Sequence, residues 1–367
     1  MELRVLPSSS WRVSRGISRG SEMAAGTAPN IRDVAELAGV SHQTVSRVIN
    51  DHPSIQPQTR ARVEAAIKTL GYRPNSAARS LARMRTGRIG AIVDSPEHFG
   101  PMNTLRGVEV ASRRAGYFLS SVSVNDDSVD AINQSLEFLL DQNVEGLCLI
   151  APRLPLLEVI RRRGLQIPSV VIATDTAHLV DDNGLQASVD QELGTRMMVD
   201  YLLELGHTRI AHLSGPHDWG DARSRRATFE ATLAAHGLTP AAIVEGDWSP
   251  DSGFAAGPGL IEGTGATAVF SANDQMALGL VHYLSEVGLR VPDDVSVVGF
   301  DNTPESAHMI PSLTTVRQNF EKLGEMAIGS LLARIKGARV ERETLRTQPS
   351  LVVRSSAGPR PATQRSR

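Results

Sequence analysis

The chain holds 367 residues, with 38 Lys and Arg against 40 Asp and Glu, 41% hydrophobic residues and only 4% aromatic ones. That balance suits a soluble globular chain with two or more cores and excludes fibrous, collagenous and disordered classes. The single cysteine, Cys148 in the apolar run GLCLI, excludes a disulfide framework and reads as a buried strand thiol in a reducing compartment. No run approaches the roughly 20 apolar residues that cross a bilayer, so a cytoplasmic protein with no membrane partner is expected.

Charge is unevenly spread. Residues 1–90 carry 14 Lys and Arg against 6 Asp and Glu, and the remainder carries 24 against 34. A basic head on an acidic body suggests a polyanion-binding module, because cationic side chains release condensed counterions from phosphates. Residues 1–29 are Arg- and Ser-rich without periodicity or the apolar core of a secretory signal, and are expected to be a disordered extension in which Met23 competes with Met1 as the start.

From residue 30 the syntax sharpens. Asn30, with Asp33 three positions on, opens a helix whose Ile31, Val34, Ala35 and Ala38 share one face, and Gly39 stops it. Ser41 caps a second helix over 42–50, with Val45, Val48 and Ile49 inward and His42, Gln43, Thr44, Ser46 and Arg47 outward. A third, over 57–70, opens on Pro57 and ends at Gly71. Two short helices around a Gly-containing turn make a helix-turn-helix, whose second helix fits the major groove.

Residues 30–82, from NIRDVAELAGVSHQTVSRVIN through GYRPN to the closing SLA, resemble the DNA-binding headpiece of the lactose-repressor (LacI/GalR) family. The resemblance implies that His42 and Gln43, with Arg47 further along, read operator bases; Gln pairs bidentately with adenine and Arg with guanine. It implies phosphate contacts from Ser41, Thr44, Ser46, Asn50, Tyr72 and Asn75, although for Ser41 a purely capping role carries equal weight. Residues 74–87 would form a hinge helix and linker: Leu81 enters the minor groove at the centre of the site while Arg79, Arg83 and Arg85 line phosphates.

After residue 88, short apolar runs alternate with helical periods. IGAIV, FLSSVSV, GLCLI and SVVIA are expected as strands, with helices over 104–115, 129–142 and 156–163. A second series has SVD, RIAHLSG, AVFSAN and SVVGFD, with helices over 192–205, 222–236 and 275–287. Repeated strand–helix units make parallel sheets covered on both faces. The expected fold class is therefore a small all-α helix-turn-helix head joined to an α/β, two-lobed body like that of periplasmic binding proteins.

Within a body over 88–356, the first lobe is expected at about 88–185 plus 318–340 and the second at about 186–316 plus 347–356. By resemblance, the chain crosses back near 315–319 and a helix over 320–336 packs on the first lobe. Residues 357–367 are expected as a disordered tail without leucine heptads, hence a homodimer.

At strand ends, Arg225, Asn273 and Asp301 match the family's effector-binding residues, and Gln318 matches a crossover residue near the same cleft. Asp221 precedes Arg225 by one helical turn. The set suits polyhydroxylated ligands, since carboxylates accept, amides do both and a guanidinium donates from a rigid fork. Helix capping is the competing role for Asn273 and Asp301. Trp248 resembles a tryptophan lining the sugar site of a lactose-responsive member, and Trp219 is either a second wall or loop packing. One departure is Ala173, where that member has aspartate, with Asp175 two residues on.

No GxGxxG, Walker, HExxH, GxSxG or paired CxxC pattern is present, and GPGLIEGTG reads as a surface loop, so neither an enzyme nor a cofactor or metal is expected. The expected function is a repressor that binds an inverted-repeat operator, as a dimer on double-stranded DNA at the nucleoid, and is released allosterically by a mono- or disaccharide. The alternatives are a purine-type regulator whose ligand is a co-repressor, and a sugar-binding protein without a DNA role.

Overall fold

The computed structural model describes residues 29–50, 52–72, 85–125, 128–174, 185–338 and 344–361. It divides into two compact units, residues 1–82 and 83–367. The expected hinge contacts of Asn75, Arg79, Leu81 and Arg83 lie outside the described residues, as do the leading extension through residue 28 and Asp175.

The first unit contains α1 (Ile31–Ala38), α2 (His42–Ile49) and α3 (Pro57–Leu70). The Asn30 side chain accepts from the Arg32 N–H at 2.8 Å, and Asp33 reaches back to the Asn30 N–H at 2.7 Å, closing a capping box. Gly39 ends α1 at φ +61°, a conformation that a Cβ would penalise. Val34, Val45 and Val63, one from each helix, are completely buried against one another's helices. Burying a valine side chain contributes roughly 1.5–3 kcal/mol, which stabilises helices too short to persist alone.

The second unit holds two sheets. The first orders β2 (Phe118–Val124), β1 (Arg88–Asp94), β3 (Gly146–Ile150), β4 (Ser169–Ile172), β5 (Leu185–Val189) and β11 (Thr344–Thr347), all parallel. Its faces are covered by α4 (Phe99–Arg114), α5 (Val129–Asp141), α6 (Leu154–Arg163) and the late helix α12 (Phe320–Ile335). Cys148 sits at the centre of β3, fully buried, and burial pushes its thiol up to about 12.

The second sheet orders β7 (Ile243–Glu245), β6 (Ile210–Ser214), β8 (Ala268–Ser271) and β9 (Ser296–Val298), again parallel. Single bridges carry it on to β10 (Thr315–Arg317), which pairs antiparallel with β12 (Ser350–Val352). Here α7 (Gln191–Glu204), α8 (Gly220–Ala235), α9 (Pro250–Ala255), α10 (Gly257–Ile261) and α11 (Asp274–Glu286) surround the strands.

Four expectations are corrected. The strand around SVD belongs to the first sheet: all five residues of β5 are buried between β4 and β11, so the lobe boundary moves from about 186 to Asp190, which caps α7. GPGLIEGTG is not a surface loop, because its first half forms α10 and buries Leu260 completely. The tail is held at its start: Gly358 accepts from His207 Nε2 at 3.0 Å, and the Arg360 N–H donates to the Leu205 carbonyl. The first body helix also begins at Phe99 rather than near 104, with Pro101 in its first turn, where no intrahelical N–H is needed.

Candidate functional site

In the head, α2 presents its polar residues outward. His42, Gln43 and Arg47 are exposed, Thr44 and Ser46 are half-buried, and Val45 and Val48 anchor the opposite face. An exposed helix N-terminus bearing His and Gln is suited to donating and accepting at base edges. Two residues expected at phosphates are engaged locally. Ser41 Oγ accepts the Thr44 N–H at 3.1 Å, and Asn50 donates from Nδ2 to the Ser46 carbonyl at 2.9 Å. Tyr72 packs half-buried against the head core.

In the body, the strand ends of both sheets face one cleft. Arg225, Asn273, Asp301, Trp248, Gln318 and Asp221 all line it, as do Trp219 and Ala173.

Arg225 projects from α8 and is almost wholly buried, its guanidinium 3.8 Å from the centre of the Phe300 ring. Its Nε donates to Gln191 Oε1 at 2.9 Å and its Nη1 to the Ala272 carbonyl at 2.5 Å, while Nη2 lies 3.8 Å from Asp221. Gln191 passes the chain on through Nε2 to Gln318 Oε1 at 3.2 Å, and Gln318 Nε2 donates to Asp301 Oδ1 at 2.6 Å. This buried relay runs through two of the three segments where the backbone changes lobe, the start of α7 and the segment after β10; the third lies between β11 and β12.

Asp301 adopts φ +116°, a backbone state that non-glycine residues hold only under constraint and that concentrates at functional sites. Burial pushes its carboxyl up to about 7; Asp274 and Asp221 add to the rise, whereas Arg225 and the Gln318 hydrogen bond oppose it. Behind it, Asp274 accepts from the Thr303 N–H, the Thr315 hydroxyl and Ser306, and burial pushes it up to about 6 despite those donors.

Asn273 does both things open to it. Its Oδ1 caps α11 through the Met276 N–H at 2.8 Å, its Nδ2 donates to the Trp248 carbonyl at 3.0 Å, and it still lines the cleft. Trp248 sits at φ +74°, its ring edge-on to Trp219 at 5.4 Å, and its buried indole N–H has no hydrogen-bond partner among the described residues. Trp219 in turn meets the His98 ring at 5.0 Å.

The lobes touch at one edge of the cleft. Arg153 and Trp219 form a backbone bridge, and the Gly220 N–H donates to the Pro152 carbonyl at 3.0 Å. A Cβ at Gly220 would collide with the Thr174 carbonyl, so glycine permits this approach. Arg153 is itself clamped by Asp94 through Nε at 3.1 Å and Nη2 at 2.5 Å, with Ser95 Oγ as a third donor to that carboxylate.

Gln191, Gln275 and His98 line the cleft without having been singled out from sequence, and the Asp94–Arg153 pair beside it was also missed. The one local signal was for Gln191, which follows a capping aspartate at the lobe crossing. Among the described residues, no group of three or more His, Cys, Asp or Glu could hold a metal, and no helix is long and apolar enough to cross a membrane.

Comparison with known proteins agrees with this two-part layout. Residues 30–75 match the family model for bacterial regulatory proteins, lacI family, and residues 199–357 match that for a periplasmic binding protein-like domain. The lactose operon repressor of Escherichia coli (strain K12) is 37% identical over 310 residues, 84% of this chain and 85% of that protein. The ribose operon repressor of the same strain is 35% identical over 336 residues, 89% of this chain and 99% of that one. Among solved structures, the lac repressor dimer bound to operator and the anti-inducer ONPF superimposes with a TM-score of 0.79 at 35% identity, covering 90% of this chain and all of that one.

Proposed function

The chain belongs to the lacI family of bacterial regulatory proteins, and from that membership we propose that it is a repressor that binds a palindromic operator as a homodimer and is released by a mono- or disaccharide. It works by binding and not by catalysis, in the cytoplasm at the nucleoid. The observation that carries the sugar is the cleft itself: a guanidinium, two carboxyls and several amides converge there beside two indoles. Carboxyls and amides accept from ring hydroxyls, the guanidinium donates, and an indole face covers sugar C–H groups.

The relay from Arg225 to Asp301 supports the coupling. A ligand that replaces any of its hydrogen bonds acts on Gln191 and Gln318 at two of the three lobe crossings, and so favours one lobe arrangement over the other. In the head, His42, Gln43 and Arg47 read bases, while Thr44, Ser46 and Tyr72 hold phosphates.

The test is operator selection from randomised duplexes by the full chain at fixed salt, followed by titration of the selected duplex with sugars and purines. An inverted repeat whose binding weakens with a sugar supports the reading. Superimposable curves with and without every sugar overturn it, and tightening by a purine assigns the co-repressor mode instead.

A further inference from the structure

The two faces of β5 differ in chemistry. Leu185, Ala187 and Val189 join the core under α12, with Leu345 of β11 packed against it. The alternate residues Gln186 and Ser188 point the other way, opposite Thr344 and Arg346 in the parallel register. A buried parallel strand is ordinarily apolar on both faces. Here the second face is polar, and it lines a groove whose other wall is α8 of the second lobe, through Arg223, Ser224 and Thr228. The groove adjoins the effector cleft at Thr174, Ser188, Val189 and Gln191, but Arg346, Arg223, Gln186 and Thr228 line the groove alone.

Two side chains call for a ligand, and the charge balance gives its class. Ser188 is only 6% exposed, and its hydroxyl has no hydrogen-bond partner among the described residues, a state that costs free energy until an incoming group completes it. Arg346, exposed on β11, likewise makes no hydrogen bond or ion pair among the described residues. Arg223 is held by the His217 carbonyl through Nη1 at 3.0 Å. Among the described lining residues, the groove thus sets two guanidiniums, one from each lobe, against the carboxylate of exposed Glu192. In the effector cleft the balance is reversed, with Asp221 and Asp301 beside the committed Arg225. A phosphate group finds complementary charge in the groove and repulsion in the cleft.

We propose that this groove is a second binding site, for a small hydroxylated phosphate ester, with the phosphate on Arg346 and Arg223 and the hydroxyls on Ser188 and Thr228. A ligand that grips β5 and β11 on one side and α8 on the other favours the lobe arrangement in which both walls are within reach. Gln191 lines groove and cleft alike and belongs to the relay from Arg225 to Asp301, so occupation of one space alters the affinity of the other. The site goes beyond the sugar-responsive reading and stands without it.

The experiment is calorimetric titration of the full chain, at fixed ionic strength, with glucose 6-phosphate, ribose 5-phosphate and glycerol 3-phosphate, each beside its unphosphorylated parent, and with inorganic phosphate. At least one ester is expected to bind about tenfold or more tightly than its parent and than inorganic phosphate. Arg346→Gln should weaken that ester by about tenfold or more, the worth of one charge-assisted contact. Thr228→Val should weaken it in the same direction from the other lobe, and neither variant should change the affinity of any free sugar that binds; thermal unfolding checks that both fold. Absence of binding by every ester overturns the proposal, as does an ester whose affinity survives Arg346→Gln, which would place the phosphate on another surface. Inorganic phosphate binding as tightly as the esters overturns the ester assignment. Equal losses for ester and free sugar in both variants also overturn it, because the groove would then only support the cleft.

Discussion

Gln318 donates to Asp301 across 2.6 Å, joining the segment that returns to the first lobe to the strand end of the second. The carboxyl that accepts this bond is buried and raised to about 7 from an ordinary value of 3.8. Between those pH values the folded chain holds more protons than the unfolded one. The stability contributed by Asp301 is therefore complete below about pH 4 and is lost as pH rises through about 7. Asp274, raised to about 6, acts in the same direction. Asp301→Asn should make the decline of stability between about pH 4 and pH 7 shallower without abolishing it. Denaturant titrations across that window test this; an equally steep decline in the variant counts against it.

Gly220 is where the lobes meet, beside the Thr174 and Pro152 carbonyls. Gly220→Ala should hold the cleft partly open and weaken effector binding by roughly tenfold or more, because an overpacked contact costs about 1–3 kcal/mol. Calorimetry gives the affinity, and small-angle scattering should show a larger radius for the liganded variant. Unchanged affinity would mean that closure does not matter to binding.

On α2, exposed Gln43 and half-buried Ser46 should fail differently. Gln43→Ala should relax one half-site position by about 1–3 kcal/mol and leave the others alone. Ser46→Ala should weaken all operators together. Affinities for a set of singly substituted operators, at one salt concentration, separate the two patterns.

The Asn30–Asp33 capping box holds the first turn of α1. Asn30→Ala should lower the opening free energy of that helix by about 1 kcal/mol, read from amide exchange in the full chain. Ser41→Ala tests the Thr44 N–H cap on α2 in the same way. An exchange rate in α2 unmoved by that substitution would return Ser41 to a role at the phosphate.

Much of this architecture was legible because local rules and tertiary demands agree. Caps and Gly stops wrote out α1, α2 and α3, and the apolar runs ending in Asn273 and Asp301 gave strands whose tips carry the cleft chemistry. What escaped depends on partners distant in sequence. The five buried residues of β5 look the same in either lobe, and only pairing with β4 and with β11, about 160 residues later, assigns them. Gln191 and Arg153 carried no motif, since their significance comes from Arg225 and Asp94, 34 and 59 positions away. Leu260 was hidden because Gly and Pro around it signal a turn, yet the short helix α10 carries it into the core.

Cys148 is the chain's one sulfhydryl, sealed in one of the two central strands of the first sheet with its ionisation pushed to about 12. Alkylating reagents attack the thiolate, so labelling of the native chain should wait on openings that expose β3, and its rate should report how often they occur. The molecule thus carries its own clock for the first lobe alone, with no engineered label: the second lobe and the head have no sulfhydryl to add to the signal.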